Sequence, residues 1–157
     1  DVYKRQLYQL PVAEIAADNC VLLLWATFPK LPEALRLIEA WGFQYKTVGF
    51  VWVKTNPSGN GFFLGLGWWT RSNAEICLLA VRGKPKRQCA GISQLIISPR
   101  ERHSKKPDIV RDLAVTLVGD VPRIELFARE TSPGWDVWGN EVDCSITLTQ
   151  SEGDAHE

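Results

Sequence analysis

I-E-L-F-A-R-E-T-S-P-G-W-D-V-W-G-N-E-V, residues 124–142, is the stretch on which the fold reading turns. Ile124, Leu126 and Ala128 alternate with Glu125, Phe127 and Arg129, the period-two pattern of a strand with both faces partly apolar. Ser132-Pro133-Gly134 then breaks the strand as a turn. Trp135, Trp138 and Gly139-Asn140-Glu141 follow as a polar, Trp-rich loop. Open α/β sheets present ligand-binding groups at the carboxyl ends of their strands. On that pattern Asn140 and Glu141 are placed to hydrogen-bond a ribose, and Arg129 to orient a charged ligand group. The same residues also suit a core strand followed by an aromatic-rich surface loop, and residue types alone leave both readings open.

Upstream, Pro107 and Asp108 open a helix whose apolar face is Ile109, Val110, Leu113 and Leu117, and Gly119 stops it. Earlier still, Cys20 to Ala26 (C-V-L-L-L-W-A) is a continuous apolar run, which predicts a strand buried on both faces, as in a parallel sheet. Leu31, Ala34, Leu35, Ile38 and Trp41 share one helical face, closed by Gly42. A strand from Lys46 to Lys54 completes a segment of βαβ length. Glu75 to Val81 predicts a third strand, Gln94 to Ile97 a short fourth, and Leu10 to Ala16 a short helix. The glycine-rich loop 55–67 carries no G-x-G-x-x-G and no G-K-[ST].

The chain's 157 residues, 45% of them apolar, suit one globular domain. Seven tryptophans need either a core or a flat ligand to stack on. No apolar run is long enough for a transmembrane helix, and no signal peptide is visible. The four cysteines form no C-x-x-C pair and there are only two histidines, which argues against a metal site. Cys20 and Cys77 read as buried thiols, and a reducing cytosol is expected. Net charge is zero, but Arg82, Lys84, Lys86, Arg87, Arg100, Arg102, Lys105 and Lys106 face Glu101 alone within their segment. Such a segment suits either a polyanion or a solvated surface. Residues 1–6 are set apart as a leader, 7–143 as the domain and 144–157 as a polar tail.

Six motifs now stand in one order: L-L-L-W-A-T (22–27), E-A-L-R-L-I-E-A-W-G-F (33–43), F-V-W-V-K-T-N (50–56), G-W-W-T-R-S-N-A-E-I-C-L-L-A-V-R-G-K-P (67–85), H-S-K-K-P-D (103–108), and I-E-L-F-A-R with G-W-D-V-W-G-N-E (124–129, 134–141). Together they resemble the adenine N(6)-methyltransferase family that includes the catalytic subunit of the messenger-RNA adenine methylation complex, in its bacterial and phage DNA-modifying branch. The resemblance implies an α/β fold: a Rossmann-like S-adenosylmethionine (SAM)-dependent methyltransferase sheet with flanking helices and a permuted motif order. It implies SAM as cofactor, DNA as partner with RNA as the alternative, and a bacterial or phage-infected cytoplasm. Lys106 resembles the lysine that touches the methionine part of SAM and gates the site. Arg129, Asn140 and Glu141 resemble the ribose and adenine contacts. Glu75 resembles an acid near the target base. Trp68, Trp69, Arg71, Arg102 and Lys105 are candidate substrate contacts, with Trp25 and His103 weighed beside them and read as core and solvent-facing.

One departure stands against these matches: the sequence contains no D-P-P-W, the family's catalytic motif, which holds the adenine amino group. No catalytic residue is therefore assigned. The absent motif and the absence of Met fit a chain whose N-terminal segment, with one or more central strands, lies elsewhere. The alternative is a non-catalytic, nucleic-acid-binding relative.

Overall fold

The computed structural model describes residues 2–102 and 104–148, so the His103 expectation lies outside the described residues. The elements run α1 (Val2–Gln9), α2 (Val12–Ile15), β1 (Cys20–Ala26), α3 (Leu31–Ala40), β2 (Gln44–Thr55), β3 (Ala74–Arg82), β4 (Leu95–Pro99), α4 (Ile109–Val118), β5 (Ile124–Leu126) and β6 (Asp136–Trp138). Four strands form one sheet in the order β1-β3-β2-β4, and β5 and β6 form a second. β3 is antiparallel to both neighbours, while β2–β4 and β5–β6 are parallel. β1 and β2 therefore point the same way, as βαβ length predicts, but with β3 between them.

This corrects the reading of β1 as a parallel strand buried on both faces. Among the described residues it pairs only with β3, antiparallel, and six of its seven residues are half-buried. A continuous apolar run records that both faces meet side chains. It is silent on the direction of the neighbour and on whether the outer edge is paired.

The two faces of β3 divide the core. Ile76, Leu78 and Ala80 join Ala34, Ile38 and Trp41 of the α3 side. Cys77 joins Phe50, Trp52, Ile96 and Val110 on the α4 side. Burial pushes the Cys77 thiol up to about 12 against the pull of the Lys106 charge. Cys20 is half-buried rather than buried, although burial still raises its thiol.

The end of α3 shows how sequence sets local geometry. Gly42 takes φ +84, its N–H donates to the Glu39 carbonyl at 2.9 Å, and Phe43 N–H donates to the Ile38 carbonyl at 3.0 Å. That paired arrangement satisfies carbonyls the helix would leave open, and it turns the chain into β2. α1 crosses the boundary drawn at Leu7: Trp41 Nε1 donates to the Leu7 carbonyl at 2.9 Å, and Lys4 pairs with Glu33 at 3.5 Å.

The strand at Ile124 is shorter than its alternation predicts. Phe127 adopts φ +58, ending β5 at Leu126. The expected Trp-rich loop contains β6, whose Trp138 packs edge-on to Phe127 with ring centroids 5.3 Å apart. Ala128 N–H donates to the Trp138 carbonyl at 3.0 Å. A methyl group on Gly139 would collide with the Ala128 backbone, so only glycine permits this approach. Ser145 ties back to Val137 in both directions, at 2.9 and 3.1 Å, which places the first residues of the polar tail on β6.

Candidate active site

Parallel β2 and β4 deliver their carboxyl ends toward one region, and antiparallel β3 begins there. Glu75, at the start of β3, is 7% exposed and is the one charged side chain in the buried class among the described residues. A buried carboxylate needs cations and hydrogen bonds to offset its lost hydration. Lys106 Nζ supplies two contacts, 3.0 and 3.1 Å from the two carboxylate oxygens, and Lys54 Nζ lies 3.2 Å from Oε2.

Two indoles complete the box. Lys54 Nζ lies 5.0 Å from the Trp52 ring centroid, and Lys106 Nζ lies 5.8 Å from that of Trp25. The two rings meet edge-on at 6.1 Å. Trp52 Nε1 donates to the Ser98 carbonyl at 3.1 Å, fixing the end of β4. Trp25, expected in the core, thus also supports Lys106. A cavity of about 260 Å³ opens beside this cluster, lined by Trp52, Ser98, Lys105, Lys106, Asp108 and Ile109 among others.

The loop bearing Lys106 is held by charges. Lys105 Nζ contacts Glu101 at 2.8 Å, Asp108 at 3.3 Å and Glu130 at 3.8 Å. The Glu101 hydrogen bond leads in raising the Lys105 amine above its ordinary value, and with Asp108 it outweighs the lowering by burial. Burial pushes the Asp108 carboxyl up, but hydrogen bonds from Arg111 and Lys105, with their charges, outweigh it and hold the group low. Arg102 contacts Glu130 at 3.5 Å. Within the basic segment, then, Arg102 and Lys105 are already engaged by carboxylates. Lys84, Lys86 and Arg87 stand exposed.

Glu130 links this loop to the mouth of β5 and β6. Its neighbour Arg129 has Nε 3.9 Å from Glu141 Oε2, and both side chains are largely open to solvent, as is Asn140. Bidentate pairing of Arg111 with Glu125, at 2.9 and 3.3 Å, fastens α4 to β5. The fold therefore joins Lys106 with Glu75, and Arg129 with Glu141, while Glu130, next to Arg129 in sequence, meets Lys105, next to Lys106.

Trp68 and Trp69 stand apart, 96% and 93% exposed, beside exposed Arg71. Phe62, Leu64 and Leu66 continue the same exposed loop. Sequence reasoning passes over Lys54, Trp52 and Ser98. The signal is present in F-V-W-V-K, where strand alternation puts Phe50, Trp52 and Lys54 on one face.

Comparison with known proteins identifies the family of the chain. The chain is 37% identical over 157 residues to the type II methyltransferase M.MunI of Mycoplasma sp, covering 98% of this chain and 64% of that protein. It is 33% identical over 152 residues to human N(6)-adenine-specific methyltransferase METTL4, covering 87% of this chain and 32% of that protein. It is 29% identical over 133 residues to the human N(6)-adenosine-methyltransferase catalytic subunit METTL3, covering 82% and 23%. The chain thus spans less than two thirds of each of these relatives. Residues 2–141, which contain every element from α1 to β6 and both charged groups of the site, match MT-A70. The chain belongs to the MT-A70 family.

Proposed function

We propose that this chain is the methyl-donor side of a SAM-dependent methyltransferase acting on the 6-amino group of adenine in DNA. The observation that carries the reading is the pairing of Lys54 and Lys106 on buried Glu75, together with the open Arg129–Glu141 pair, in a chain of this family. The names of METTL4 and METTL3 support adenine N(6) as the acceptor. DNA rests on the resemblance to the DNA-modifying branch and the likeness to the Mycoplasma type II methyltransferase. In this reading the sheet is Rossmann-like and permuted. The late position of β5 in the chain and its parallel pairing with β6 support that order.

The residue chemistry fits SAM. Glu141 offers a carboxylate to the ribose hydroxyls, Asn140 a donor and an acceptor, and Arg129 a cation that also steadies Glu141. Lys106, at the edge of the cavity, offers an ammonium to the carboxylate of the methionine part. SAM supplies the electrophilic methyl group, and these residues supply position and electrostatics. The 157 residues contain no D-P-P-W, so none is assigned to the acceptor amine. Calorimetry tests the donor site: Glu141→Ala is expected to weaken SAM binding about tenfold, the scale of one charge-assisted hydrogen bond. Unchanged affinity would remove Glu141 from the site.

Trp68, Trp69 and Arg71 are proposed to meet unstacked DNA, where exposed indoles serve as stacking surfaces. Trp69→Ala is expected to leave the unfolding midpoint within error, since the ring is almost fully exposed. DNA affinity should fall by about 5- to 100-fold in a fluorescence-anisotropy titration. A drop in stability with DNA affinity intact would make the ring structural instead.

A further inference from the structure

We propose that Lys54 is a positioning residue that permits Lys106 to leave Glu75. The observation is that one buried carboxylate holds two ammonium groups, at 3.2 Å and at 3.0 and 3.1 Å. A single cation would suffice for charge balance. Stripping the only cation from a buried carboxylate is strongly unfavourable, because the remaining charge has neither water nor partner. With two, either lysine can depart while the other keeps the carboxylate paired.

The surroundings decide which one departs. Lys54 lies in β2, paired on both sides by β3 and β4, and its ammonium rests over Trp52. Its side chain is 20% exposed. Lys106 lies outside any strand or helix, its side chain is 31% exposed, and it lines the cavity. Lys54 is therefore the resident counter-ion and Lys106 the exchangeable one. An anionic group entering the cavity competes with Glu75 for Lys106, and Lys54 sets how costly that exchange is. The proposal rests on the reading of Lys106 as a ligand-facing lysine, and it extends the donor site to a residue that never touches the ligand.

The experiment uses the purified protein with no ligand present. Trace acetylation with acetic anhydride, read lysine by lysine by mass spectrometry, reports how freely each amine leaves its partner. In Lys54→Met, labelling of Lys106 is expected to fall about tenfold, which corresponds to about 1.4 kcal/mol of tighter pairing. Lys54→Arg, which keeps the counter-ion, should restore the original rate. Lys54→Met combined with Glu75→Gln should release Lys106 again. A merely structural Lys54 would give the opposite sign, since a loosened site labels faster. Faster or unchanged Lys106 labelling in Lys54→Met overturns the proposal.

SAM calorimetry on the same variants adds an independent arm, with affinity expected to fall in Lys54→Met and recover in the double variant. If the unaltered protein binds no SAM, the donor-site reading fails while the labelling result still decides the role of Lys54.

Discussion

Trp52→Ala is expected to lower the unfolding free energy by about 3–5 kcal/mol, the range for deleting a buried large aromatic side chain. The ring is 2% exposed and packs with Phe50, Cys77, Ile96 and Val110. Its loss would also remove the edge-on contact with Trp25 and the platform under Lys54. Chemical denaturation would read this as a shift in midpoint with little change in slope. Trp52→Phe separates the contributions, keeping most of the packing and losing the hydrogen bond to the Ser98 carbonyl at 3.1 Å. It should cost about 1–2 kcal/mol. A loss below about 1 kcal/mol for the alanine variant would contradict the placement of Trp52 in a close-packed core.

Glu75→Ala carries the second large effect. It leaves Lys54 and Lys106 without their shared carboxylate, in a region where the Glu75 side chain is only 10% exposed. Breaking a buried pair in this way costs about 3–5 kcal/mol. Added salt should not repair it, because buried charges are weakly screened. Glu75→Gln removes the charge but keeps an accepting oxygen, so its cost should be clearly smaller. Equal, small losses in both variants, recovered by salt, would mark the cluster as a surface ion pair.

Helices α3 and α4 and strand β3 are legible in the sequence because their signals are local, whereas α1 falls across what reads as a leader. The Leu31–Trp41 stripe with Gly42, and the Pro107–Gly119 frame, need no knowledge of distant residues. The resemblance likewise singles out Lys106, Glu75, Arg129 and Glu141, which the structure brings into two pairs. Hidden from the sequence are facts that arise only when distant segments meet. β1's antiparallel partner is one, since an apolar run looks the same in either direction. β6 is another: Asp136–Trp138 is three residues long, and its pairing with β5 exists because Phe127 turns and Gly139 allows the approach. Lys54 escapes notice because a lysine near a strand end ordinarily extends to solvent. Its counter-ion lies on the next strand, and its competitor Lys106 lies farther along the chain.

The engagement of Lys105 and Arg102 by Glu101, Asp108 and Glu130 shows the same limit for charge counting. A segment that reads as basic is partly neutralised in three dimensions, by a carboxylate from beyond β5. The exposed cations Lys84, Lys86, Arg87 and Arg71 remain as candidates for polyanion contact.

The most direct test of adenine methyl transfer is nucleoside mass spectrometry. Protein expressed from the complete gene would be incubated with SAM and either duplex DNA or RNA of the same sequence. N(6)-methyl-2′-deoxyadenosine is expected in the DNA, reduced at least about tenfold by Lys106→Ala, the loss of one charge-assisted contact. Methylated adenine in RNA alone would contradict the substrate. No methylated adenine in either, from protein that binds SAM, would contradict the enzyme itself.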